Sequence, residues 1–136
     1  MPLSSYNGEW EQTDKGDNFK EFLAAMGIGL IKRNVANKMS RTIIFKATGD
    51  NSFDVVSKSS MKTNDVSIVL GNKQSGQRDD GMDVTTCFTL NGENIVQDEE
   101  AKDGKKYQYV WEVAGDVLKI TLKIDAIVCV QVYKKK

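Results

Sequence analysis

Histidine is missing altogether from this 136-residue sequence, and with it go the commonest general base and the commonest metal ligand of proteins. Cysteine occurs only at Cys87 and Cys129. Two thiols so far apart cannot make a zinc site unaided, and buried free thiols in a reducing compartment are favoured over a disulfide. Pro2 is the one proline, and no linker, low-complexity tract or internal repeat interrupts the chain. Neither sign of charge is in excess, because 19 Lys and Arg face 19 Asp and Glu. A nucleic-acid binder would carry a basic surplus to neutralise phosphates. No apolar run nears the ~20 residues that span a bilayer. The opening MPLSSYNGEW lacks the apolar stretch of a secretory signal, so a cytoplasmic protein is expected.

What is present amounts to one domain, residues 1–136, long enough to bury roughly two-thirds of the surface of its unfolded chain. Phe19, Phe22, Leu23 and Met26 fall at i, i+3, i+4 and i+7, which places them on one helical face. Asp17 or Asn18 can serve as N-cap, and Glu21 follows Asn18 at capping-box spacing. Gly27 stands where a left-handed residue would end the helix. A second short helix is expected after Gly29, with Ile31, Val35 and Met39 on its inner side and Lys32, Arg33 and Lys38 outside. The pair is a helix-turn-helix by shape, yet the balanced charge argues against a DNA-reading role.

After Arg41 the period changes from helix to strand. Segments rich in β-branched and aromatic residues recur at 42–48, 53–59, 65–70, 82–90, 95–100, 106–113, 117–124 and 127–134. Turn formers such as Asn91-Gly92, Asp103-Gly104 and Gly115-Asp116 separate them. A short strand at 73–78 and another at 6–13 bring the number to about ten. A long antiparallel meander must manage its edges, and closing into a barrel does so. The expected fold is therefore all-β: a ten-stranded antiparallel up-and-down β-barrel capped by a helix-turn-helix. In the strand at 106–113 the odd positions Tyr107, Tyr109, Trp111 and Val113 are bulky, and Leu118, Ile120, Leu122 and Ile124 form an apolar face in the next. In the last strand both faces are largely apolar, Val128, Val130 and Val132 alternating with Ile127, Cys129, Gln131 and Tyr133, so one is expected to face an internal space and the other to pack or be covered.

Catalytic signatures are scarce. There is no Walker-type loop, no G-x-S-x-G elbow and no G-x-G-x-x-G following a strand. Gly27-Ile28-Gly29 follows a helix instead. The acidic run Asp79-Asp80-Gly81-Met82-Asp83 lacks the spacing and closing Glu of a calcium loop and reads as a turn. Asp98, Glu99 and Glu100 are consecutive, so along a strand they alternate between faces and read as a solvated run. Lys134, Lys135 and Lys136 read as a solubilising tail. This inventory contains no catalytic residue, no metal site and no cofactor site.

Tyr6-Asn7-Gly8-Glu9-Trp10 is similar to the opening aromatic-x-Gly-x-Trp signature of the fatty-acid-binding and cellular retinoid-binding proteins, the calycin-type intracellular lipid-binding family. Asn18-Phe19-Lys20-Glu21-Phe22, continuing through Met26-Gly27-Ile28-Gly29, resembles that family's first helix and inter-helix turn. Arg33-Asn34-Val35-Ala36, Met61-Lys62, Val69-Leu70-Gly71 and the terminal Val132-Tyr133 extend the resemblance from about Tyr6 to Tyr133. It implies a carrier that holds a lipid, such as a fatty acid or a retinoid, in an internal cavity as a monomer and without a cofactor.

The departure from the family lies at the head group. Its acid binders typically hold a carboxylate with Arg-x-Tyr on the last strand and a second Arg on the eighth. Here those positions read Gln131-Val132-Tyr133 and Trp111, and a further interior Arg falls at Met82. A buried carboxylate without a cation costs several kcal/mol, so the pocket suits a neutral head group such as retinol's. A fatty acid held by Gln131, Tyr133 and water is the equal alternative. By family geometry and local alternation, Phe19, Leu23, Val35, Met61 and Ile43 would line the portal and the tail end of the cavity. Ser57, Ser59, Gln97, Tyr109, Trp111, Leu122, Gln131 and Tyr133 would line its interior. For each of them ordinary core packing is the competing reading. A barrel retained as an interaction module without ligand is the rival function, and the basic cap of Lys20, Lys32, Arg33 and Lys38 is a candidate contact for an anionic membrane surface.

Overall fold

The alternation of apolar and polar residues resolves into one sheet wound on itself. The structure, a computed structural model, describes residues 3–136. A 3₁₀ turn, Leu3–Tyr6, leads into β1, Gly8–Asp14, and then into two helices, α1, Phe19–Ala25, and α2, Leu30–Lys38. Nine strands follow: β2, Thr42–Ala47; β3, Ser52–Lys58; β4, Thr63–Val69; β5, Lys73–Gln77; β6, Asp83–Asn91; β7, Asn94–Ala101; β8, Lys106–Ala114; β9, Val117–Ile124; and β10, Ile127–Lys135. All ten strands pair antiparallel in the order β4-β3-β2-β1-β10-β9-β8-β7-β6-β5. Each neighbour in space is thus a neighbour in sequence, except where β1 meets β10.

The two ends of that order, β4 and β5, share no ladder. The closure expected from edge management is completed there by side chains: Gln74 Nε2 donates to the Ser67 carbonyl at 2.9 Å, and Asn64 bonds Asp79. Gln74, Gly76 and Gln77 give β5 little apolar surface to bury, and a strand without a buried face has weakly specified pairing.

The helices cover one end of the barrel. Phe22, Leu23 and Met26 are buried beneath α1, as their spacing required. Gly27 takes φ +87° and ends the helix in the left-handed region. Asn18 is the N-cap residue, but no capping box forms: its side chain makes no cap bond and donates instead to the Val128 carbonyl at 2.8 Å, tying α1 to β10. Gly16 sits at the same junction, where a Cβ would come within 2.6 Å of Cys129 Sγ.

The second helix departs from expectation. No residue of α2 is buried, and Ile31 and Val35 are exposed where an inner side was expected. Shared spacing identifies residues on one face, but a face is buried only if something lies across from it. Here α2 is held by polar ties: Lys15 Nζ to the Asn37 carbonyl at 2.8 Å, Arg33 Nη1 to the Ile28 carbonyl at 2.8 Å and Lys32 Nζ to the Asp80 carbonyl at 3.2 Å.

At the other end the interior is filled by a chain of rings, Tyr6 to Phe45 to Phe53 to Phe88 to Trp111, with successive centroids 5.4, 4.5, 5.5 and 6.4 Å apart. Trp10, fully buried, donates from Nε1 to the Tyr6 carbonyl at 2.9 Å. Both cysteines are free thiols. The outward valines of β10 stay open to solvent, Val128 and Val130 being exposed, while Cys129, Gln131 and Tyr133 point inward.

Candidate functional site

Strand parity delivers polar groups to the inside. On β7 the inward residues are Ile95, Gln97, Glu99 and Ala101, and on β8 they are Tyr107, Tyr109, Trp111 and Val113. Gln97 lies opposite Tyr109, Tyr109 opposite Leu122, and Ile120 opposite both Trp111 and Gln131. Across this surface runs a hydrogen-bond chain. Trp111 Nε1 donates to Gln97 Oε1 at 3.1 Å, and Gln97 Nε2 donates to Glu99 Oε2 at 3.2 Å. Thr86 Oγ1 donates to the same oxygen at 3.0 Å, and the Tyr107 hydroxyl donates to Glu99 Oε1 at 2.6 Å. Arg78 Nη1 in turn donates to the Tyr107 oxygen at 3.3 Å. Burial disfavours a charged Arg78, but two bonds to Asp80, at 3.0 and 2.9 Å, outweigh it and raise the pKa of the guanidinium. The same pairing overcomes burial at Asp80 and holds its carboxyl below the usual range.

A second polar group gathers around β10 and β1. The Tyr133 hydroxyl lies 3.4 Å from both Gln131 Oε1 and Gln12 Nε2, and Gln12 Oε1 accepts from the Arg41 backbone N–H at 3.2 Å. Arg41 pairs with Asp79 at 3.0 Å at the barrel rim. Burial pushes the Tyr133 phenol up to about 12, against a weaker opposing pull from Arg41.

Tyr109 reveals the space between these groups. It is half-buried on the inward face of β8, and burial, reinforced by the Glu99 charge, raises its phenol well above the ordinary value. Its hydroxyl nevertheless forms no hydrogen bond with a described residue. A half-buried hydroxyl on an inward strand face without a protein partner is left to water or a guest molecule. The Phe22 and Tyr107 rings flank it at 6.1 and 5.7 Å. A separate recess of about 870 Å³ lies outside, between the α1–α2 turn and the Asp80–Gly81–Met82 turn.

The structure brings most of the expected residues to this interior. Gln131, Tyr133, Trp111, Leu122, Leu23 and Ile43 are buried, and Tyr109, Gln97, Ser57 and Phe19 are half-buried. Ser59 is not brought there, its hydroxyl donating to the Lys62 carbonyl within the β3–β4 turn. Nor are Val35 and Met61; they stand exposed on α2 and on the β3–β4 turn. Glu99 is the correction in the other direction. It was read as part of a solvated run, yet it is buried while Asp98 and Glu100 remain exposed. Its parity with Ile95 and Gln97 carried the signal. Sequence patterning also does not single out Arg78, half-buried just past β5, or Arg41, at the rim just before β2, although each keeps the parity of inward residues on the adjoining strand, Gln74 and Ile43. Met82, the position implied for an interior Arg, packs half-buried against the core. The Asp79–Asp83 run is a turn, and among the described residues no cluster of carboxylates and thiols is placed to hold a metal ion.

No protein-family model matches the chain. Among curated proteins, the fatty acid-binding protein of Tyrophagus putrescentiae is 30% identical over 131 residues, covering 96% of this chain and 97% of that protein. Fatty acid-binding protein homolog 1 of Echinococcus granulosus is 29% identical over 134 residues, 98% of each chain. The solved fatty-acid-binding protein from Drosophila melanogaster brain tissue superposes with a TM-score of 0.81 at 32% identity, covering 93% of this chain and 95% of that one. The chain belongs to the fatty-acid-binding protein family. This member of the family carries Gln131 and Trp111 where the resemblance implied arginines, and both residues are buried.

Proposed function

We propose that this protein is a carrier that encloses a long-chain lipid in the barrel and performs no chemistry on it. The observation that carries the reading is the Tyr109 hydroxyl, turned inward on β8 among apolar and polar side chains and without a protein partner. Around it Leu122, Trp111, Leu23, Phe19 and Ile43 supply apolar wall, and Gln131, Tyr133, Gln97 and Ser57 supply polar points. Each methylene taken from water into such a wall stabilises the complex by about 0.8 kcal/mol, so the hydrocarbon chain provides most of the affinity and the polar groups select the head. An intracellular carrier of this kind acts as a monomer. Its exit route is the helical cap, where Leu30 and Ile31 are exposed beside Lys32. That apolar and basic face suits a transient contact with an anionic membrane surface.

The test is native mass spectrometry of protein purified without delipidation, followed by titration of delipidated protein with cis-parinaric acid. Retained lipid and saturable one-to-one binding support the carrier. Protein that retains no lipid and gives no saturable fluorescence change overturns it and favours the ligand-free interaction module.

A further inference from the structure

The inward charges of the barrel are those of Arg78, Asp80 and Glu99, with the Arg41–Asp79 pair exposed at its rim. Asp80 occupies Arg78 through two bonds, and Asp79 occupies Arg41 at the rim. Glu99, only 9% exposed, forms no ion pair among the described residues. It is held by three donors instead, from Tyr107, Thr86 and Gln97. These are the interior donors that a fatty-acid carboxylate would otherwise use, and the protein's own carboxyl group already holds them. A carboxylate offers about four acceptor sites, so roughly one remains open. The Tyr109 hydroxyl, on the neighbouring inward position of β8, is an unpartnered O–H donor with a free lone pair.

We infer that Glu99 and Tyr109 form a head-group subsite for a long-chain lipid whose polar end is neutral and donates a hydrogen bond, an alcohol or a primary amide. The inference rests on the carrier reading above. The head-group O–H or N–H donates to Glu99 while its oxygen accepts from Tyr109. An ionised fatty acid placed there would set two carboxylates against each other with no free cation, an arrangement in which like charges disfavour ionisation. The strand register orients the guest. Glu99, Tyr107 and Thr86 pair near the helix-capped end, and Ile95 and Trp111 pair toward the rings. The head group is therefore held near the helix-capped end, with the packed rings of Phe88 and Phe53 as the floor beneath the guest.

The experiment displaces Nile red, a neutral probe, from delipidated protein with tetradecanol, tetradecanamide or sodium tetradecanoate at about pH 8. The alcohol and amide are expected to bind at least about tenfold more tightly than the acid. Glu99→Gln should abolish or reverse that ratio, because it removes the opposing charge and frees one of the donors Tyr107 and Thr86 for the carboxylate. Tyr109→Phe, which removes one oxygen from a half-buried ring, should weaken the alcohol and amide by several-fold and keep the fold. Tetradecanoate preferred by the wild type, or a ratio unchanged in both variants, overturns the subsite while leaving the carrier intact. Failure of all three lipids and of Nile red to bind overturns both readings.

Discussion

The two ends of the barrel are built on different principles. The end away from the helices is a solid of rings in which Tyr6, Trp10 and Phe53 are at most 1% exposed. There the Tyr6 hydroxyl closes the wall with 2.7 and 2.9 Å bonds to the Trp111 and Glu93 carbonyls. The helix-capped end holds polar chains, an ion-paired turn and a helix with no buried residue. Interiors pack to crystal-like density, so a fold that must keep room inside places its close packing at one end. Local opening then draws on the poorly packed end, where few apolar contacts resist it. Admission of a ligand and stability of the barrel are thereby assigned to different residues.

The largest effect that tests this contrast is at the closed end. Phe53→Ala removes a ring stacked 4.5 Å from Phe45 and is expected to cost about 3–5 kcal/mol. Ile31→Ala on α2, 80% exposed, should stay within about 0.5 kcal/mol. Urea unfolding of the two variants side by side measures the difference, and equal losses would dissolve the distinction between the ends.

Next in size is Gln131→Arg, which places a cation in the interior of the empty barrel. Apo stability should fall by about 2–4 kcal/mol, and sodium tetradecanoate should restore part of it, because a guanidinium beside Tyr133 binds a carboxylate bidentately. A melting temperature that rises without lipid, with acid affinity unchanged, would mean that position 131 does not face the open space.

Alkaline pH probes both ends together. Burial pushes Tyr6 and Tyr133 up to about 12 from 10.0 and Cys129 up to about 11 from 9.0. Tyr107 and Tyr109 are raised as well, burial again being the main cause. Each group binds its proton more tightly when folded, so its contribution is complete below the unfolded value and is lost as pH rises through the folded one. Stability should therefore decline from about pH 9 upward, with the steeper loss between about 10 and 12. All four tyrosines are shifted, so tyrosinate absorbance should appear with unfolding. A separate native titration step near the ordinary phenol value would show that the interior is wetter than its packing implies.

The smallest effect concerns delivery. Lys32→Glu, at an exposed position, should leave lipid affinity nearly unchanged and slow transfer to vesicles containing anionic lipid, a difference that salt removes. Transfer rates indifferent to vesicle charge would make the cap a solvated surface only.

Much of this molecule was legible in its sequence. The strand at 117–124 was read with its final bounds, Val117–Ile124, and most other strand ends fall within a residue or two. The inward sets on β8 and β9 were legible because side chains in a pleated strand alternate strictly, whereas on β10 both faces are largely apolar and only the structure leaves Val128 and Val130 open to solvent. Gly27 announced the end of α1 because a positive φ is cheap only without a Cβ.

Other features were decided only when distant segments met. Parity placed Glu99 on the face of Ile95, but three donors from Thr86, Gln97 and Tyr107 were needed to make burial of that carboxyl group tolerable. The same holds for Arg78, whose inward position depends on Asp80 across its own turn. The apolar spacing of Ile31 and Val35 was real, and nothing came to cover it. The seam between β4 and β5 likewise has no local signature, since the composition of each strand does not specify its neighbour. The sequence by itself determined which residues share a face, because that is a property of the backbone period. Only the tertiary structure decided which faces are covered and which buried charges are satisfied, because burial and pairing depend on residues far apart in the chain.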